Sequence, residues 1–366
     1  MKTLRRLING EVIRAVAFVT LGFLSLFFFF DFVEEVQSVG RHTATGYKLV
    51  HALSYVVLMI PSHLYELMPI TVLIGTIFVM ARLAQSSEYT ILRTSGLDPW
   101  RALKALLALG FGFVLLTFAI GDYVSPMADR TAQLLKAKYT GRITVGQTGA
   151  WLKEKQSYGQ FAVNVGELAS DGGLRQIRIF EFNNRGFLAS MTQGESATIQ
   201  DDDAWTLFRV HRTEFITEGG TQIERSNLPS MRWPNRISAE MVSAALLKPE
   251  RMSTIDLFQY IQHLQNNAQT AQRYEIEFWK KVFYPLSCLV MVVLALPFAY
   301  LHFRSGGIAT YVFAGVMAGI SFFLLNNVFG YIGNLQNWQP WLTAALPGLI
   351  YSLLSLTAFT WLVLRR

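Results

Sequence analysis

A single cysteine, Cys288, in a chain of 366 residues excludes any internal disulfide. It lies inside an apolar run, where a thiol serves as a small buried filler better than as a reactive group. Charge is scarce too: Asp, Glu, Lys and Arg make up 16% of the chain, against roughly 25% in ordinary soluble domains. Catalytic signatures are missing. A phosphate-cradling Walker A loop ends in Gly-Lys-Ser/Thr, and the chain has no Gly-Lys pair. It has no His-Glu-x-x-His and no Gly-x-Ser-x-Gly. His42, His51, His63, His211, His263 and His302 are scattered. The sequence therefore offers no catalytic residue, no metal site and no cofactor site of its own.

What the chain does have is apolar length. Crossing about 30 Å of hydrocarbon takes about 20 mostly apolar residues. Val12–Phe32, Tyr55–Ala81, Ala102–Ile120, Phe283–Leu301, Ile308–Phe329 and Leu342–Leu364 meet that requirement. Nothing between Asp122 and Trp279 does. The first run is long for a signal peptide, and Asp31-Phe-Val-Glu-Glu35 follows it where a cleavage site would need small residues. It is expected to stay as a helix. The pattern predicts a membrane α-helical bundle of three plus three spans, over 1–130 and 273–366, with an extramembrane domain at 131–272.

Basic residues set the orientation. With the N-terminus inside, the inner segments hold Lys2, Arg5, Arg6, Arg82, Arg93, Arg101, Lys104, Arg304, Arg365 and Arg366. The short outer loops hold only Arg41 and Lys48. The positive-inside rule then places both termini in the cytoplasm and the long polar segment outside. In a two-membrane bacterium that means an inner-membrane protein with a periplasmic domain. Lys280 and Lys281 run against the rule. They either snorkel toward headgroups or contact an anionic lipid.

The polar segment reads as β-structure. Phe161, Val163 and Val165 alternate with polar or small residues, the period of a half-buried strand. Ile177–Phe182, Ala197–Gln200, Trp205–His211 and Glu214–Thr217 are further short strand candidates. Turn-forming residues separate them, which suggests a small sandwich or jelly roll. Ser253-Thr-Ile-Asp256 reads as a capping box opening an amphipathic helix with Leu257, Phe258, Ile261 and Leu264 on one face. Asp201, Asp202 and Asp203 lack the spacing and glycine of a calcium loop and fit a solvated turn.

The longest inner loop runs from Arg82 to Lys104. Ser86 or Ser87 can cap a short helix at about 84–96, Gly96 can end it, and Glu88 and Arg93 project from it. From the chemistry alone this is either a solvated turn with an ion pair or a handle for a cytoplasmic motor. Leu83-Ala-Gln-x-x-Glu88 with Ser95-Gly96 resembles the coupling helix of the lipopolysaccharide-export permeases of the YjgP/YjgQ type. Further matches follow in order. Ile120-Gly-Asp-Tyr-Val-x-Pro126 closes the third span, and Arg273-Tyr with Trp279-x-Lys-Val-Phe-x-Pro-Leu-Ser287 opens the fourth. Gly319-Ile-Ser-Phe and Phe329-Gly330 lie in the fifth. The ordered set covers essentially the whole chain and is most similar to the G-type branch.

The resemblance implies a permease subunit of an ABC transporter that extracts lipopolysaccharide from the inner membrane and passes it to a periplasmic bridge. Its fold would be six spans with a periplasmic β-jelly-roll-like domain. Its partners would be an F-type permease (LptF), a homodimeric ATPase (LptB) that binds the ATP, and a single-span regulator (LptC). Glu88 and Arg93 would couple to the ATPase. Lys136, with Arg41, Arg130, Lys138, Lys280 and Lys281 behind it, would hold the anionic headgroup by charge-assisted hydrogen bonds. Phe27, Phe30, Asn326, Asn327, Phe161, Val163 and Val165 would form the lipid path and gate. Asn326 and Asn327 reach either a partner permease or their own helix. Relatives carry a Lys near the top of the first span and another after the second-span proline. This chain has Asp31 and Ser62 there, so those two contacts do not transfer.

Physics is consistent with that role. Each buried methylene holds a lipid by roughly 0.8 kcal/mol, so baring several acyl chains to water costs on the order of tens of kcal/mol. Extraction needs an apolar cavity in the membrane and an apolar trough beyond it. Other readings are an F-type role in the same machine, a periplasmic scaffold without transport, and a proton-driven flippase, which would need an essential intramembrane acid or a relay at His63.

Overall fold

The computed structural model describes residues 2–41, 46–86, 88, 91, 99–140, 150–156, 159–168, 173–183, 185–200, 204–216, 222–235, 237, 241–242, 249–267, 269–300 and 307–361. The chain divides into two compact units. One comprises Met1–Glu34, Met59–Ala128 and Glu275–Arg366, the other Glu35–Leu58 and Asp129–Tyr274.

The first unit is helical. Its helices belong to α1 (Lys2–Arg41), α2 (Leu49–Gln85), α3 (Pro99–Ala119) and, past the β-structure, the chain from Glu275 onward. Among the described residues, five helices are long and apolar enough to cross a membrane. A bent pair supplies a sixth span, with a 47° turn between Gln272–Phe283 and Ser287–Tyr300. Pro285 sits in that break, where it can neither donate to the helix ladder nor avoid the carbonyl one turn back. The third run does not stop at its apolar end. After α3 the ladder widens into a π-turn over Ile120–Val124 and continues as α4, Ser125–Thr140. Pro126 has no N–H to give, which favours the wider turn just before it.

The core of this unit is mainly apolar, with Thr71, Thr76 and Thr117 buried in it. Val12 and Val16 of α1 pack with Val72, Leu73, Ile77 and Met80 of α2, and with Cys288, Met291, Val292 and Ala295. Cys288 is fully buried, as expected of a filler. The helix α2 is mostly buried, while α1 and the helix at Ile308–Leu335 are mostly exposed. Glycine sets the spacing between α1 and α2. A Cβ on Gly75 would lie 2.7 Å from the backbone N and Cα of Val16, closer than any real contact.

The second unit is an antiparallel six-stranded sheet whose order follows the chain. Its strands are β1 (Ala150–Gln156), β2 (Gly159–Leu168), β3 (Leu174–Phe182), β4 (Leu188–Gln200), β5 (Ala204–Ile216) and β6 (Gln222–Pro234). No crossover joins the described strands, so the connectivity is a meander. The all-β insertion expected from the sequence is present. Phe161, Val163 and Val165 share the buried face with Ile177, Ile179 and Leu207.

The strand candidates at Trp205–His211 and Glu214–Thr217 are one strand, continuous through Ile216. Two strands escape the sequence pattern. β1 carries Lys153, Glu154 and Lys155, and β6 is mostly exposed with Pro229 inside it. Pro229 is tolerated because β6 is an edge strand, where one lost donor breaks no second ladder. The three acidic residues at 201–203 lie outside the described residues, between paired ends Gln200 and Ala204.

After the sheet comes α5, Thr254–Asn266. Its capping box forms as read: the Ser253 hydroxyl accepts from the Asp256 backbone N–H, and the Asp256 carboxylate from that of Ser253. Leu257, Ile261 and Leu264 are buried, joined by Tyr260 and His263. Phe258 is half exposed instead, because Tyr260 takes the inward position beside Ile261. Burial lowers the pKa of His263, so its imidazole stays neutral.

Candidate functional site

Two polar clusters stand out, one in each unit. In the sheet-bearing unit, Glu35 is buried, and its carboxylate accepts from the Tyr47 hydroxyl at 2.9 Å and from Lys136 Nζ at 2.8 Å. Burial first, and then this bond to Glu35, raises the Tyr47 pKa, so the phenol remains a donor. The Lys136 ammonium also lies 4.7 Å from the centroid of the Tyr55 ring, within cation–π range. Beside this group, Tyr139 and His51 are stacked at 4.2 Å and hydrogen-bonded at 2.9 Å. In the same unit Arg130 pairs with Asp256 at 2.7 Å.

In the helical unit, Asp31 meets His63 Nε2 at 2.6 Å, with the Phe27 ring tilted against the imidazole at 5.0 Å. His63 is thus tied to an acid rather than standing alone in an apolar span. The Ser62 and Ser125 hydroxyls share a hydrogen bond of 2.7 Å. Asp31 and Ser62 therefore both hold polar contacts within the chain.

The paired lysines of the fourth span part company. Lys280 bonds Glu277 at 2.6 Å. Lys281 turns inward, is 7% exposed, and donates to the carbonyl of Gly121 at 2.8 Å. That carbonyl lies in the π-turn, and the Lys281 ammonium also faces the Tyr65 ring at 5.7 Å. Lys281 thus fastens the third span to the fourth. The Tyr284 hydroxyl adds a second tie, donating to the Glu66 carbonyl at 2.5 Å.

Among the sequence-read headgroup residues, Lys136, Arg130, Lys280 and Lys281 already have partners in the chain. Arg41 is helical, but its side chain and that of Lys138 lie outside the described residues. Glu88 is helical and exposed, as is Ile91. Arg93 lies outside the described residues. Asn326 donates to the Phe322 carbonyl of its own helix at 3.1 Å, and Asn327 is exposed. Phe30 is 59% exposed, while Phe27 is occupied by His63.

Val163 and Val165 are completely buried and form part of the sheet core. Phe161 alone of the three lines an opening, a cavity of about 230 Å³ against β2 to β6. Sequence reading missed the Glu35–Tyr47–Lys136 group and the Asp31–His63 pair. The partners are 101 and 32 residues apart, and no local spacing joins them.

The Glu35–Lys136 contact gives a direct test. Lys136→Ala leaves a buried carboxylate without its cation and is expected to cost about 2 kcal/mol, since the lysine is only partly buried. Lys136→Ala with Glu35→Gln should recover most of that loss, as the neutral amide keeps the Tyr47 bond. Thermal unfolding of the purified variants measures both. Equal losses in the single and double variants would mean that the pair contributes nothing.

Comparison with known proteins covers nearly the whole chain. Residues 6–363 match the family described as lipopolysaccharide export system permease LptF/LptG. The lipopolysaccharide export system permease protein LptG of Escherichia coli strain K12 is 28% identical over 361 residues, spanning 98% of this chain and 97% of that protein. The protein of the same name from Haemophilus influenzae is 27% identical over 369 residues, spanning all of this chain and 99% of its own length. The matched region takes in all the candidate spans and the whole β-insertion. This chain belongs to the lipopolysaccharide export system permease LptF/LptG family.

Proposed function

We propose that this chain is the G-type membrane subunit of a lipopolysaccharide exporter, driven from the cytoplasm by an ATPase it does not contain. As a member of that family it is a multi-pass permease subunit of the export system. The finer assignment to the G-type role is supported by relatives named LptG over the full length. Basic residues cluster on one side of the spans. That supports cytoplasmic termini and a periplasmic sheet. The exposed faces of α1 and of the helix at Ile308–Leu335 suit an F-type permease and lipid on either side.

The observation that carries this reading is the pairing, in one chain, of an apolar multi-span unit with an inserted sheet whose buried face is largely apolar. An acyl chain leaving the bilayer needs such a second apolar surface. Lys136 supplies the charge. A lipid phosphate offers it oxygen acceptors and competes with Glu35 for the ammonium. Glu88 projects from a helical turn and is exposed, which suits docking into the ATPase.

The test uses the complete complex in vesicles containing lipopolysaccharide, with a photocrosslinking residue at position 136 or 161. Position 136 is expected to capture lipopolysaccharide before ATP is added, and position 161 only afterwards. Capture at neither position, with transport running normally, would overturn the proposed path.

A further inference from the structure

The strand register lines up a set of side chains on the outer face of the sheet, away from its core. Directly paired residues point to the same side. Leu152, Val163 and Ile179 pair across β1, β2 and β3 and are buried, so the paired positions one residue along face outward. Those positions form one row across all six strands: Trp151, Asn164, Arg178, Gln193, His211 and Asn227. Asn164 is covered, its amide donating to the Ala150 carbonyl at 3.2 Å. The others are exposed. Six strands spaced by about 4.8 Å make the row roughly 24 Å long.

An aromatic stack stands at one end. The Trp151 ring, 51% exposed, stacks with Phe180 at 5.8 Å. Phe180 belongs to the next outward row, with Lys153, Ala162 and Met191, and Lys155 pairs with Gln160 in the row after that. Across β1 to β3 these rows hold the cations Lys153, Lys155 and Arg178, and no carboxylate stands among them.

A merely solvated face has no need of such a stack. Apolar surface left in water and rimmed by polar groups marks a binding site. A sugar ring matches this one. Its C–H bonds give it an apolar face, and hydroxyls surround its edge. The stacked rings take the face. The Gln193 and Asn227 amides both donate and accept, as hydroxyls do. His211 Nδ1–H donates to Asn227 Oδ1 at 2.6 Å, which holds both side chains in place on the sheet. The cations select an anionic glycan, and the Arg178 guanidinium can offer a phosphate two parallel donors.

We propose that the outer face of the sheet binds the phosphorylated oligosaccharide of lipopolysaccharide, one sugar ring lying on the Trp151–Phe180 stack and the following rings along Arg178, Gln193 and His211. The proposal deepens the export reading and rests on it. In that reading the buried face of the sheet serves the acyl chains, and the opposite face guides the glycan that travels with them.

The test uses the full chain in lipid nanodiscs and the water-soluble oligosaccharide that mild acid releases from lipopolysaccharide. Saturation-transfer NMR measures its binding. Trp151→Ala should weaken binding about tenfold, with thermal unfolding of the variant as the check on its fold. Arg178→Gln changes an exposed residue and leaves the stack in place. It should weaken binding of the phosphorylated oligosaccharide about tenfold, and that of its dephosphorylated form much less. Neutral dextran of similar length should bind the native chain far more weakly. Undiminished binding in both variants, equal binding of dextran, or no binding by the native chain would overturn the proposal.

Lipopolysaccharide release by the assembled complex is measured in parallel. Release without oligosaccharide binding removes the site and leaves the export reading intact. Oligosaccharide binding without release keeps the site and removes the proposed role in export.

Discussion

Glu88→Arg is expected to abolish lipopolysaccharide release while leaving the chain folded and inserted. Glu88 is helical and exposed, and it has no partner among the described residues, so its replacement disturbs no contact seen in the fold. Its effect must then arise at a partner. Removing one member of a buried interfacial charge pair costs about 2–5 kcal/mol, and reversal adds repulsion. Release should therefore fall by at least ~100-fold. Glu88→Gln, which keeps the shape and a hydrogen-bonding group, should lie between. Three measurements separate coupling from folding: the amount of chain in the membrane, ATPase retained on purification, and lipid released per unit time. Normal release from the charge-reversed variant would remove Glu88 from the coupling role.

Gly75→Leu is expected to disrupt the packing of α1 on α2 in the helical unit. A Cβ there would fall 2.7 Å from the Val16 backbone N and Cα, and 2.8 Å from its Cγ2. Backbone cannot yield as a side-chain tip can, so α1 and α2 must separate. Their separation opens the packing of Val12 and Val16 on Val72, Leu73 and Ile77. Overpacking of this kind costs about 2–3 kcal/mol. In a membrane no hydrophobic force restores the contact, because lipid tails satisfy the exposed faces equally well. Gly315→Leu should cost less, since its neighbour is the movable Cδ1 of Ile77 at 2.8 Å. Thermal unfolding in detergent ranks the two. A Gly75→Leu chain as stable as the native one would mean that the close approach of α1 and α2 contributes little.

The contrast between those two glycines shows where sequence reading ends. Gly315 and Gly319, four residues apart, mark a close helix approach from their spacing alone. Gly75 carries no such signal, because its partner is 59 residues earlier, at Val16. The same limit applies to the cations. Lys136 and Arg130 are legible as basic residues near a span, but their pairing with Glu35 and Asp256 is not. Lys281 reads as a cation that snorkels toward headgroups or contacts an anionic lipid, and the structure makes it a buried tie to the Gly121 carbonyl. Of the inner loop whose sequence resembles a coupling helix, Glu88 is visible both as a motif residue and as an exposed helical position.

The sequence by itself determined the spans, the β-insertion, the alternating face of β2 and the cap at Ser253. Each of these depends on transfer from water or on local geometry, and both are written in length and period along a few neighbouring residues. Only the tertiary structure decided which charges are neutralised and which valines are core. Those outcomes depend on distances of about 3 Å between residues far apart in the chain. Hydrophobic burial brings such residues together without regard to which polar groups it will leave facing each other.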